Sequence, residues 1–262
     1  MLIGLGDDAA AVDFGAATVI TSDSIADQVH FDATIHDLKN IGHKAIAVSL
    51  SDIAAMGGRP IALTIDFFLP RDLDFNQLKN LFTSMAATAS RFETQIVAGD
   101  TNRWDNPLVI STTAMGISAR AEDRSGEHLW KLSGGKPGDI VCVTGALGGS
   151  ILGKHLEFEP RVNLAIELAQ RCEIHAATDI TDSLATDLAA IARASKCGFR
   201  LNGGDIPVDN AAAQLSKQDG GSPLEHALFD GEDFELVLCM SCLLYTSPSP
   251  RDQRGSRMPS SA

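Results

Sequence analysis

Residues 44–60 read KAIAVSLSDIAAMGGRP. Small or apolar side chains fill nearly every position of this run, so as a helix it is hydrophobic on all sides, the mark of a buried element. Asp52 is the exception. An ionised carboxylate in such a helix is costly unless something cationic meets it, and no Lys or Arg stands between Lys44 and Arg59. The compensation therefore comes from elsewhere in the fold or from a bound metal ion. The plainer alternative is an Asp on a solvated edge or capping a neighbouring element. Gly57 and Gly58 supply a left-handed stop, and Pro60 forbids continuation.

Outward from this helix, three runs share one pattern: apolar or β-branched residues, then Asp beside Ser or Thr. They are a β-run at 17–22 that leads into Asp23, a second at 95–98 that leads into Gly99, Asp100 and Thr101, and ATDITDS at 177–183 with Asp179 and Asp182. Read as strand ends at one sheet edge, they are places where sites are built. Further strands are expected at 61–68, 108–119, 140–144 and 234–240, and helices at 76–92, 163–172 and 184–195. Strands and helices mix without strict alternation, which favours an α+β fold. Gly and Pro cluster in SGGKPG at 133–138, so domains are expected over 1–132 and 133–240.

The 262 residues are 44% hydrophobic, enough for a sizeable core, and carry a net charge of −13. That acidity argues against nucleic acid and anionic membranes as partners and suits cations or metal-neutralised substrates. No signal peptide or long apolar run appears, and the five cysteines read as reduced thiols of a cytoplasmic protein. Met1–Gly6 leads straight into Asp7 and Asp8, which points to a missing N-terminal element. Residues 241–262 turn to Ser, Pro and Arg, read as a non-native tail, and leave the second domain truncated.

Asp8, Asp23, Asp52, Asp100, Asp179 and Asp182 share small or hydroxyl neighbours and few basic residues. Each alone reads as a turn or cap residue. Gathered together they would repel unless divalent cations neutralised them, and Mg²⁺, which shares oxygen ligands with substrate phosphates, is the natural candidate. GGSILGKH at 148–155 nearly matches the G-x-x-x-x-G-K-[ST] phosphate loop, but His155 stands where the metal-binding hydroxyl belongs. It reads as a Gly-rich turn with Lys154 solvated.

GLGDDAAAV (4–12), TSDSIADQVHF (21–31), the 44–60 run, AGDT (98–101), SGGKPGDIVCVTG (133–145), DITDSLATDL (179–188) and DGEDFEL (230–236) occur in one order along the chain. Together they resemble the thiamine-monophosphate kinase family. The resemblance implies a two-domain AIR-synthetase-like α+β fold, with mixed sheets and helices packed on one face. It implies a homodimer formed through the N-terminal domains, and an ATP-dependent kinase acting on thiamine monophosphate by direct, Mg²⁺-assisted transfer. It further implies that Asp8, Thr21, Ser22, Asp23, Asp52, Asp100, Asp179 and Asp182 hold metal, that Gly99, Asp100 and Thr181 contact ATP, and that His30 and Glu232 contact thiamine monophosphate. Three positions depart from the family pattern: Leu132 replaces an Arg, with Lys131 adjacent, and Ser183 and Asp230 replace glycines. Alternatives are another ATP-using enzyme of the superfamily, aminoimidazole ribonucleotide synthetase-like or selenophosphate synthetase-like, and an inactive ATP- or metal-binding fragment.

Overall fold

The computed structural model describes the backbone of residues 10–13, and residues 17–120 and 122–241 in full. Asp8 and the tail from 242 onward lie outside the described residues.

Asp37 opens the first helix. Its carboxylate accepts the Lys39 amide at 2.9 Å, and α1 runs Leu38–Ala55, six residues longer at its start than the 44–60 run suggests. Thirteen of its residues are buried, Lys44 among them. Gly57, at φ 63, then turns the chain into β3 (Gly58–Pro70). Pro60 is tolerated inside this strand because the neighbouring β4 (Gln95–Trp104) pairs with β3 only from Ala62 onward, so no ladder bond is asked of the missing N–H. With β1 (Ala10–Asp13), β2 (Ala17–Ala26) and β5 (Val109–Ser118), these strands form a sheet in the order β1-β2-β5-β3-β4. Only the β3–β4 pair is parallel. Helix α2 (Phe75–Arg91) starts at a capping box between Asp74 and Gln77 and packs on α1.

A second, antiparallel sheet has the order β6-β8-β7, built from β6 (Asp139–Val143), β7 (Ile174–Asp179) and β8 (Leu236–Ser241). Around it lie α3 (Lys154–Glu157), α4 (Val162–Arg171), α5 (Leu184–Ser195), α6 (Asn210–Asp219) and α7 (Pro223–Phe229). Strand alternation splits β8: Leu236 and Leu238 join the core that contains α1, whereas Val237 and Cys239 join a second core under α5 and α7. Helix α1 therefore lies between the two sheets. Its all-round apolarity is explained, because both of its sides face protein.

The expected helices at 76–92, 163–172 and 184–195 are α2, α4 and α5 to within a residue. Strands β2, β3 and β4 run further than expected. In β2 the Thr21–Ser24 stretch keeps pairing with Ser111–Ala114, since hydroxyl side chains sit well opposite one another on a sheet. Asp23 and Asp100 are thus interior to their strands, and only Asp179 ends one. Helices α6 and α7 were not foreseen: α6 buries a single residue, Ala212, too little for a periodic apolar stripe to show.

A Cβ at Gly57 would stand 2.7 Å from the Trp130 ring, at a backbone angle that L-residues resist. Gly57→Ala is expected to lower unfolding stability by about 2 kcal/mol or more; urea denaturation measures it, and an unchanged midpoint would count against this account of the α1–β3 turn.

Candidate active site

The polar groups in the second half of α1, from Lys44 to Asp52, find partners on the sides of both sheets. Toward the larger sheet, the Thr21 hydroxyl donates to the Asp52 carboxylate. Ser49 donates to Asp23 at 2.7 Å, and the single hydroxyl proton of Thr112 serves either Ser49 at 2.6 Å or the Ala45 carbonyl at 3.1 Å. Burial pushes the Asp23 carboxyl above the usual range, and the Ser49 hydrogen bond only partly offsets it. Toward the smaller sheet, Ser51 donates to Asp179 at 2.5 Å. One turn or more earlier, the fully buried Lys44 ammonium donates to Glu232 at 2.7 Å and to the His30 carbonyl at 3.0 Å. Burial pulls the Lys44 pKa down, against the pull of Glu232.

Two loops from the smaller sheet are stitched together beside this helix. The Glu232 amide donates to the Thr181 carbonyl at 2.7 Å, and the Phe234 amide to that of Ile180 at 2.9 Å. Asp187 holds the first loop from below, accepting the amides of Thr181, Asp182 and Ser183. Ser183 sits at φ 151 and its hydroxyl caps α5, so this position carries the backbone angle that the glycine of the family pattern relieves. Asp230 does not: at φ −72 it needs no glycine, and its carboxylate accepts the Gly149 amide at 2.9 Å.

The Gly-rich turn at 145–153 is closed to phosphate by its own partners. The Gly148 amide is taken by Asp233 and the Gly149 amide by Asp230. Lys154 corrects the expectation of a solvated side chain, because it donates to the Ala146 carbonyl and lies 3.1 Å from Glu235 and 3.5 Å from Asp233. Arg161 grips Glu235 with two bonds of 2.7 and 2.6 Å. Burial works to raise the Glu235 pKa, but Arg161, Thr144 and Lys154 outweigh it and leave the carboxyl low. Asp233, without such a grip, is pushed by burial to about 6.

Of the residues singled out in the sequence, Thr21, Asp23, Asp52 and Asp179 gather around α1, with His30 and Glu232 meeting at Lys44. Thr181 and the exposed Asp182 lie on the loop that Glu232 joins. Ser22 alternates to the opposite sheet face, where Thr113 donates to it at 3.2 Å. Asp100 is also apart. The cross-strand row from Asp23 runs through Thr112 and Ile65 to Gly99, so Gly99 and Asp100 lie three strand spacings away, about 14 Å. There the Asp100 carboxylate accepts its neighbours Thr101 N and Asn102 Nδ2. Lys44, Ser49, Ser51 and Asp187 were missed, although a lysine inside an apolar helix was itself a readable signal.

Among the described residues, no three His, Cys, Asp or Glu side chains are grouped to hold a metal ion. The donor set nevertheless suits Mg²⁺: Asp23, Asp52 and Thr21 offer hard oxygens, and the half-buried Asp23 carboxyl forms no ion pair within the described chain. Mg²⁺ characteristically takes one or two carboxylates and completes its shell with water and substrate phosphate.

Two sheets joined through a buried helix, with carboxylates at the joint, match the AIR synthase related proteins: the N-terminal domain family of that name covers residues 6–118 and the C-terminal domain family residues 136–241. Within that class, the chain is 38% identical to thiamine-monophosphate kinase of Rhodopirellula baltica, over 91% of this chain and 76% of that protein. It is 31% identical to thiamine-monophosphate kinase of Bacillus subtilis, over 90% and 76%. It superposes on AaThiL complexed with AMPPCP and TMP with a TM-score of 0.81 at 25% identity, over 90% of this chain and 80% of that one. The chain belongs to the thiamine-monophosphate kinase family.

Because Asp233 is raised from 3.8 to about 6, its neutral form favours the native state, and that contribution is complete below 3.8 and lost as pH rises through 6. Between those values wild type should lose about 1.4 kcal/mol per pH unit relative to Asp233→Asn; urea denaturation of both at pH 5 and 7.5 measures it, and a pH-independent difference would contradict the burial. Ser183→Gly, relieving the positive φ at a small capping cost, should stabilise by roughly 1 kcal/mol; a loss in the same measurement would show the angle to be unstrained.

Proposed function

We propose that the chain is an ATP-dependent kinase that phosphorylates thiamine monophosphate to thiamine diphosphate. The observation that carries this is the family membership together with the convergence of His30, Glu232, Asp23, Asp52 and Asp179 on one buried helix. The complex of AaThiL with AMPPCP and TMP supports the pairing of nucleotide and acceptor. Segments 1–132 and 133–240 act as two domains, with the acceptor between them and the protein in the cytoplasm; no helix of the described chain is long and apolar enough to cross a membrane.

In this reading His30 and Glu232 bind the acceptor, and Asp23, Asp52, Thr21 and Asp179, with Asp182 at the rim and Asp8 from the N-terminal stretch, would hold Mg²⁺. Bound there, Mg²⁺ supplies charge screening between the two phosphates. The acceptor oxygen is already ionised at neutral pH, so the chain needs no general base. The γ-phosphoryl group passes directly to it, the bond to the leaving ADP oxygen breaks, and no phosphoenzyme forms.

Gly99 and Asp100 enter this site from a second copy of the chain. Strand β4 is exposed along nearly its whole length, and Val97 on it and Phe82 on α2 line one open cavity with Asp100. Such an edge is a template for self-association. In this reading Asp100 of the partner subunit, carried on this edge, completes a site that Asp23 and Asp52 begin.

A coupled assay should detect ADP only when thiamine monophosphate, ATP and Mg²⁺ are all present; ATP turnover independent of the acceptor would sink the reading. Asp52→Asn and Asp100→Asn should each depress turnover by about 10²-fold or more without unfolding. Mixed chains of the two variants should recover activity, because one hybrid site is intact; no recovery in a verified heterodimer would place both aspartates in one chain's site.

A further inference from the structure

We propose that Lys44 is a positioning residue that sets acceptor affinity by latching Glu232 and the His30 turn at a fixed separation. The inference rests on the kinase reading and adds to it a residue that touches no substrate. Lys44 is wholly buried, yet its ammonium reaches 14 residues back in sequence to the His30 carbonyl at 3.0 Å and 188 residues forward to Glu232 at 2.7 Å. It is thus the point where the helix between the sheets seizes one loop from each.

What the latch presents is a matched pair of polar atoms. Lys44 takes Oε1 of Glu232, and Oε2 has no partner among the described residues, on a side chain one-third exposed. The Ala26 amide donates to Nδ1 of His30 at 3.1 Å, which puts the proton of the neutral ring on Nε2, another group without a partner among the described residues. Each of the two loops that Lys44 anchors thus carries one polar atom, an acceptor on Glu232 and a donor on His30, that is not engaged within the described chain. That suits an acceptor carrying a cationic or amino-bearing ring and a phosphate. Glu232 is held in a left-handed backbone conformation at φ 59, its amide tied to the Thr181 carbonyl at 2.7 Å. Nor can the carboxylate swing away without cost, since its departure strands a buried ammonium. The orientation of Glu232 is settled before binding, and affinity gains by what ordering no longer costs.

The test compares wild type with Lys44→Met, Lys44→Arg, Glu232→Gln and the Lys44→Met/Glu232→Gln double variant. ATP is varied at saturating thiamine monophosphate and the reverse, with thermal melts to verify folding. Lys44→Met should raise KM for thiamine monophosphate about tenfold or more while KM for ATP stays within about twofold. The double variant should be no worse than the poorer single one, because both changes release the same latch. Lys44→Arg, whose longer planar head displaces Glu232, should show the same split more mildly and serves alone if the methionine variant does not fold. An unchanged acceptor KM, a joint rise of both KM values, or additive single effects would each overturn the proposal. Acceptor-independent or absent ADP release by wild type would instead overturn the kinase reading on which it stands.

Discussion

A helix packed on both sides by protein leaves its buried polar side chains no solvent, and each of them must be met by a partner from the surrounding elements. Helix α1 obeys this constraint with Thr21, Asp23 and Thr112 on one flank and Asp179, Glu232 and the His30 carbonyl on the other. The hydrogen bonds that satisfy it are also the ones that bring acidic groups from residues 23 to 232 to a common place. Stability and site construction are here one arrangement, since an unmet polar group at this depth would cost on the order of 1–3 kcal/mol.

Besides lending Asp179 and Glu232 to the site, the smaller sheet contributes by fixing loops. Asp187 holds three successive amides of the Asp182 loop, and Asp233 and Asp230 hold the amides of the Gly-rich turn. Glu235 is clamped by Arg161 and Lys154. These carboxylates spend their acceptor capacity on backbone and basic side chains, which separates them chemically from Asp23, whose half-buried carboxyl meets a neutral hydroxyl from Ser49 among the described residues. The DGEDFEL stretch therefore contains two kinds of acid: Glu232, one-third exposed and bonded to Lys44 of α1, and Asp233 and Glu235, buried and spent on the smaller sheet's own loops.

Much of this was legible before any coordinates. The all-round apolarity of residues 44–56 announced a helix buried on both sides, the amphipathic spacing of α2 fixed its limits, and the order of seven motifs pointed to the family. What the sequence concealed is geometric. Strand alternation sends Ser22 away from its neighbours Thr21 and Asp23, and sheet order puts Asp100 three strands from Asp23; neither follows from adjacency in a motif. Lys44 lies eight residues from Asp52 on the same helix, but its charge partner Glu232 is 188 residues away, a pairing that no local spacing reveals. Position 183 was flagged by a missing glycine and does carry a positive φ, while position 230, flagged for the same reason, has an ordinary one.

The central claim is that α1 assembles a pocket in which Asp23 and Asp52 hold a divalent cation against substrate phosphate. Anomalous scattering from crystals grown with Mn²⁺, a non-hydrolysable ATP analogue and thiamine monophosphate tests it most directly. The account predicts a metal peak at bonding distance, about 2.1 Å, from the Asp23 or Asp52 carboxylate. Metal peaks elsewhere, with Asp23 still bound only to Ser49 and Asp52 to Thr21, would contradict it.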